Sequence, residues 1–247
     1  MSKERREFLA RILQKIEPAM IRIYRKIYEP APPNLKGDRD IEHSWITANM
    51  PEGPGLALDF GCGPFWLGLL AARKGFSVTA IDLEPVRWYY EHPSLRFLKG
   101  DILKLTLPSD HYDVIINCSS IEHVGLAGRY RVTESRPDGD IEAMAILKNL
   151  LKPGKAMLLT IPVGRDRVFN PLHRVYGQDR LPKLLKGWEI QKKEFWIKDA
   201  INRWIFVKES VALDIEPVKH YYGLGLFVLM RPESNDNCDH KAGHERL

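Results

Sequence analysis

Cysteine is scarce. There are three in 247 residues, Cys62, Cys118 and Cys238, and no CxxC pair. Thiols so far apart build neither a disulfide framework nor a cysteine-based zinc site, so no metal is expected and a reducing, cytoplasmic setting is. Long apolar runs are missing too. The longest, near Leu224–Met230, falls far short of the roughly 18–20 residues that cross a bilayer. The opening MSKERREFLARILQK scatters charges among its apolar residues, which predicts no secretory leader. Charge of one sign is absent from most of the chain. The net charge is +5, and residues 1–29 carry +4 of it, with eight Lys/Arg against four Glu. The nearly neutral remainder excludes a broad nucleic-acid-binding face, and no DNA partner is expected. No GxxxxGK[ST] phosphate loop occurs, which excludes that class of nucleotide hydrolase.

What is present is a globular composition, 44% hydrophobic and 28% charged, enough to bury a full core. The spacing of Phe8, Leu9, Ile12, Leu13 and Ile16, then Met20, Ile23, Tyr24 and Ile27, predicts helix over residues 3–28, interrupted at Pro18. A proline-rich stretch ends it, so residues 1–33 read as a helical arm and linker, 34–232 as the main domain and 233–247 as a polar tail. A basic amphipathic arm suits two roles: peripheral contact with an anionic membrane, or packing on its own domain or a second copy.

Beyond the linker, short apolar runs alternate with helical patterns. Strands are predicted at 55–60, 77–82, 95–100, 112–118 and 155–161, and helices at 66–74, 85–91 and 140–151. That alternation predicts an α/β fold with a parallel sheet covered on both faces, binding its ligand at the carboxyl ends of the strands. Polar residues collect there: Asp59, Asp82, Asp101 and Asn117 to Ser120.

The strongest signal is Asp59-Phe60-Gly61-Cys62-Gly63-Pro64, an acid closing a strand before two alternate glycines. Glycine permits positive φ and lets a ligand approach the backbone. A second acid, Asp82, ends the next strand, where a carboxylate suits a ribose diol. Asp101 ends the third, within reach of a purine amino group. The dinucleotide fingerprint GxGxxG is incomplete, because Trp66 stands in its last place. A ligand with ribose and base but no pyrophosphate fits better.

These motifs resemble the class I S-adenosylmethionine-dependent methyltransferases, in particular the small-molecule branch with LDxGCG. The likeness runs from about Gly37 to Arg231: Leu58-Asp59, Gly61-Cys62-Gly63, Val78–Asp82, Gly100-Asp101-Ile102, Tyr112–Ile115, Ile121-Glu122-His123-Val124 and Leu147–Gly154. Lys155 replaces the family's second glycine after the helix, and Phe65 stands where some members carry a third glycine. The resemblance implies a Rossmann-like sheet of seven strands, mostly parallel, helices on both faces and the last strand antiparallel. It implies S-adenosyl-L-methionine as cofactor, held by Asp59, Gly61, Cys62, Gly63, Asp82, Leu83, Asp101, Ile102, Cys118 and Ser119. Cys62 and Cys118 enter as packing groups, since methyl transfer from a sulfonium needs no thiol.

The resemblance fixes the donor and leaves the acceptor open, as a small or lipid-like molecule. A non-catalytic cofactor-binding module and an RNA methyltransferase are the alternatives. The [DNS]PP[YFW] motif of base-amino methylators is missing at Asn117–Ser120. An alcohol or phenol acceptor needs a base. Glu122 and His123, and His173 after strand five, are the candidates, with packing as the other reading of each. Arg165, Arg174 and Tyr176 read as substrate contacts or as a solvated loop; arginines there would suit an acidic acceptor. The segment Glu42–Trp45 reads as a lid or as core.

Overall fold

The computed structural model describes residues 37–233, with Arg5, Phe8, Ile16, Ala19, Met20 and Ile23 before them. Contacts divide the chain into two compact units, Met1–Leu35 and Lys36–Leu247. In the first, those six residues are helical and exposed. The break at Pro18, the linker and the tail beyond Glu233 lie outside the described residues.

In the second unit, helix α1 (Asp38–Asn49) leads into β1 (Gly55–Phe60), α2 (Leu67–Arg73), β2 (Phe76–Asp82), β3 (Leu95–Lys99) and β4 (Tyr112–Cys118). Helix α3 (Gly139–Leu150) runs directly into β5 (Leu151–Val163), followed by a small hairpin, β6 (Arg167–Phe169) and β7 (His173–Val175). A short α4 (Leu181–Leu184), β8 (Glu189–Lys198), β9 (Trp204–Val207), α5 (Glu209–Leu213) and β10 (Gly223–Met230) complete it. The main sheet has the order β3-β2-β1-β4-β5-β10-β8-β9. Strands β1 to β5 are parallel; β10 pairs antiparallel with β5, β8 with β10 and β9 with β8, so β8 runs in the direction of the first five. The sheet thus has eight strands rather than seven, and two of them, β10 and β9, oppose the rest. The extra one arises because residues 189–207 fold back as a hairpin of two strands on β10.

Strand alternation assigns the two faces. Leu58, Ile115, Met157 and Leu159 face Met144, Leu147 and Leu150 of α3. Ala57, Val114, Ile116 and Leu158 face Ile41, Trp45 and Ile46 of α1 with Leu67 and Ala71 of α2. Trp45 is therefore core rather than lid.

Two expectations are corrected. Residues 85–91 are not helical. Trp88 and Tyr90 stack with ring centroids 5.5 Å apart, and each reaches the glycine bend: Trp88 Nε1 donates to the Gly63 carbonyl and the Tyr90 hydroxyl to that of Phe65. Residues two apart face the same way only on extended backbone. Strand β5 also starts four residues early, directly after α3. The Pro153-Gly154 break is absorbed as a bulge, since Tyr112 pairs with Leu151 while Val114 pairs with Ala156.

Strand β1 has β2 on one side and β4 on the other, so the chain direction of crossing reverses there. The carboxyl ends of these strands open a crevice at that switch point.

Candidate functional site

A cavity of about 800 Å³ lies at the switch point. That is toward the upper end of the roughly 300–1,000 Å³ typical of ligand sites. Its floor is the bend after β1. Gly61 and Gly63 hold φ of 67° and 51°, the left-handed region that glycine takes without strain. A Cβ on Gly61 would also lie 2.2 Å from the Ser120 Oγ. The amides of Gly61 and Cys62 both donate to the Ile81 carbonyl, at 2.8 and 3.1 Å. The Gly63 amide donates to Asp82 Oδ2 at 3.0 Å, and the Glu84 amide to Asp82 Oδ1 at 3.1 Å. Residue 64 is proline and has no N–H. Every amide from 61 to 64 is thus committed or missing, so the bend offers no cradle for a diphosphate. The Asp82 carboxylate is held in place, and each oxygen keeps acceptor capacity for a hydroxyl. Asp101 accepts the Leu103 amide at 3.0 Å in a local turn.

Of the residues singled out from sequence, Gly61, Gly63, Asp82, Leu83, Asp101, Ile102, Cys118, Ser119 and His123 line the cavity. Asp59, Cys62, Glu122 and His173 lie behind its walls. Asp59 shares the strand face of Ala57, so it turns under α2 and accepts the Gly68 amide; burial raises its pKa to about 7. Burial also pushes the Cys62 and Cys118 thiols up, and neither is a thiolate near neutral pH.

A second wall comes from α1, where sequence reading did not single out Arg39. Glu42 is fully buried; it accepts the Thr160 hydroxyl at 2.8 Å and the Ser119 hydroxyl, and pairs with Arg39. Burial works against the Arg39 charge, but Glu42 outweighs it and the guanidinium stays ionised. It lies 5.0 Å from the centre of the Phe65 ring and lines the cavity. The signal was available: Arg39 precedes Glu42 by three residues, one helical turn.

A third wall is the turn Ile121–His123 with the loop that follows. His123 Nδ1 bonds the Leu172 carbonyl, a carbonyl that can only accept, so Nδ1 carries the proton and Nε2 keeps its lone pair. Nε2 lies 3.8 Å from Glu122 Oε1. Burial, then the charges of Arg129, His173 and Arg39, lower the His123 pKa to about 4. Burial raises that of Glu122 to about 8.

The later cluster behaves differently from its sequence reading as substrate contacts. Arg165 is exposed and pairs with Asp214 at 2.8 Å. Arg174 is 1% exposed and gives its hydrogen bonds to backbone carbonyls. The buried Tyr176 hydroxyl donates to Asp140 at 3.1 Å. His173 is buried between the rings of Phe169 and Tyr222, at 5.4 and 5.2 Å.

The buried carboxyl has a measurable consequence. Between its ordinary pKa of 4.5 and its folded value of about 8, Glu122 holds a proton in the folded state that the unfolded chain has released. Stability therefore falls as pH rises through that window. Below about 6.5 the depressed His123 opposes this, because the unfolded chain binds a proton that the fold refuses. The Glu122 contribution is clearest from pH 6.5 to 8, with a smaller part from Asp59 near 7. Urea unfolding at those two pH values should show a loss of about 1–2 kcal/mol. In Glu122→Gln most of that loss should vanish; an unchanged slope would refute the assignment.

Residues 104–196 match a family model described as a Caenorhabditis protein of unknown function, DUF268. A probable S-adenosylmethionine-dependent methyltransferase of Mycobacterium tuberculosis is 27% identical over 175 residues, 63% of this chain and 61% of the relative. The chain thus spans about three fifths of that relative's length. A ubiquinone biosynthesis O-methyltransferase of Rickettsia akari is 34% identical over 117 residues, covering 43% of this chain and 44% of that one. Among solved structures, a 1,6-didemethyltoxoflavin-N1-methyltransferase of Burkholderia thailandensis, with 1,6-didemethyltoxoflavin and S-adenosylhomocysteine bound, superposes with a TM-score of 0.55 at 15% identity, covering 92% and 90% of the two chains. The chain has the Rossmann-like methyltransferase fold, and its named sequence relatives include S-adenosylmethionine-dependent methyltransferases.

Proposed function

We propose that this protein transfers the methyl group of S-adenosylmethionine to a hydroxyl of a small-molecule acceptor. The observation that carries the reading is the bend whose amides are all spent while Asp82 stands fixed beside it, facing the cavity. A nucleoside without diphosphate matches those groups. Asp82 would accept from the ribose hydroxyls, Asp101 with Ile102 would meet the adenine edge, and Arg39 would pair with the carboxylate of the amino-acid tail. Bound there, S-adenosylmethionine supplies a methyl group already activated by its sulfonium.

The remaining work falls to the chain's own residues. The loop after β4 and the bend between them shield the reacting centre and align the acceptor. His123, with its lone pair on Nε2, takes the proton that a hydroxyl must lose. Glu122 backs this nitrogen, and its raised pKa keeps it neutral at pH 7, so it adds no charge that would lock His123 in the protonated form. The near-neutral body favours a small acceptor over RNA.

Calorimetric titration with S-adenosylhomocysteine tests the reading. The wild-type chain should bind it, and Asp82→Ala should weaken binding about 10- to 100-fold, the size of one or two lost charge-assisted hydrogen bonds. Absence of binding by the wild-type chain refutes the proposal. Release of label from methyl-labelled S-adenosylmethionine into an acceptor pool separates catalysis from mere binding.

A further inference from the structure

Resting on the methyltransferase reading, we infer that the acceptor carries an anionic group, a carboxylate or a phosphate, and that Arg129 grips it. Six cations line the cavity: Arg39, Arg87, Lys104, Arg129, Arg131 and Arg136. Four of them have carboxylate partners: Arg39 with Glu42, Lys104 with Asp101, Arg131 with Glu84 and Arg136 with Glu142. Arg87 is exposed to solvent. Arg129 alone is half-buried with no carboxylate partner among the described residues. Taking a cation partly out of water without a counterion costs free energy, and a ligand anion removes that cost.

The fork is also held ready. Nη1 of Arg129 donates to the Leu172 carbonyl at 3.2 Å, the same carbonyl that orients His123. Its guanidinium carbon lies 4.5 Å from the centre of the Tyr130 ring, and that ring meets His123 edge-on at 5.8 Å. One hydrogen bond and one stacking contact fix the plane and leave the Nε and Nη2 edge for two parallel bonds to an oxyanion. The anion site and the lone pair of His123 therefore share one wall of the cavity. An acceptor anchored at Arg129 presents its neighbouring hydroxyl to His123. Arg39, across the cavity by Phe65, serves the donor instead.

The test is calorimetric titration of the full chain with benzoate, phenyl phosphate and neutral benzamide, each with and without saturating S-adenosylhomocysteine. The wild-type chain should bind both anions saturably and benzamide at least tenfold more weakly. Arg129→Gln should lose tenfold or more for both anions, and Arg129→Lys, which keeps charge without the fork, should fall between. Arg203→Gln, at an exposed pair with Asp199, should match wild type. Affinity of Arg129→Gln for S-adenosylhomocysteine should stay within twofold of wild type, which also shows that the variant is folded. Whichever anion binds more tightly names the acceptor as carboxylate or phosphate. Benzamide binding equal to benzoate, or anion binding unchanged in Arg129→Gln, overturns the inference. Failure of S-adenosylhomocysteine alone to bind removes the methyltransferase reading, while Arg129-dependent anion binding without it upholds the anion site.

Discussion

Replacing His123 by alanine should lower kcat for a hydroxyl acceptor by about 10²–10⁴-fold, the usual contribution of a positioned base, while affinity for S-adenosylhomocysteine holds. Nδ1 is tied to the Leu172 carbonyl, so the proton-accepting nitrogen is chosen by the backbone. In the free protein that nitrogen is a weak base, because burial and the charges of Arg129, His173 and Arg39 depress its pKa to about 4. An acceptor anion seated against Arg129 cancels one of those charges and raises the basicity of His123 when it is needed. The acid limb of kcat, which reports the loaded protein, should therefore lie at higher pH than the acid limb of kcat/KM, which reports the free one. In His123→Ala that limb should disappear and the rate should climb with pH as the acceptor ionises unaided. The measurement is a pH–rate profile with methyl-labelled donor and the hydroxyl acceptor found for the wild type. A variant that retains a third of the wild-type kcat would end the case for His123 as base.

The order of elements was legible because strand alternation and helical spacing are local signals. Residues 55–60 and 112–118 form strands with the bounds their apolar runs suggested. That Gly61, Gly63, Asp82 and Asp101 line one cavity was legible for the same reason, since each sits at or just past a strand's carboxyl end. What stayed hidden depends on contacts distant in sequence. Asp59 and Asp82 lie on the same sheet face, since Asp59 pairs with Ala80, but Asp59 sits one residue inside β1 and is covered by α2, whereas Asp82 closes β2 two residues beyond that pair and reaches the cavity. Residues 85–91 have a helical composition, but Trp88 and Tyr90 gain more by bonding the bend. The arginines show the limit most clearly. Arg165 and Arg174, which follow β5, would suit an acidic acceptor only if they faced the cavity. The cavity is lined instead by Arg39 and Arg129, because Arg165, before the hairpin, turns to Asp214 at the surface and Arg174, on β7, is buried in the core.

Arg174→Met should destabilise the protein by about 3–5 kcal/mol, the cost of breaking a buried charge network by removing one partner. Arg174 is among the largest fully buried side chains of the described residues. Its Nη1 donates to the carbonyls of Glu122 and Val124, at 3.3 and 2.6 Å, and its Nη2 to those of Arg136 and Pro137, both at 3.2 Å. Nε lies 3.7 Å from Asp140, which also pairs with Arg180. One guanidinium thus ties both ends of the cavity loop to β7. Methionine fills a similar volume, so the loss would come from four orphaned carbonyls and a half-neutralised Asp140 rather than from a cavity. Arg174→Lys should recover only part of the stability, because a point charge cannot span four acceptors on two sides. Urea unfolding at pH 7 gives both numbers, and hydrogen exchange in the loop gives a second readout. Amides from Gly125 to Asp138 should lose protection in either variant while those of β1 keep theirs relative to global stability. Equal stability of Arg174→Met and wild type would mean that the loop holds its shape without the buried fork, and that His123 and Arg129 owe their placement to the Leu172 carbonyl alone.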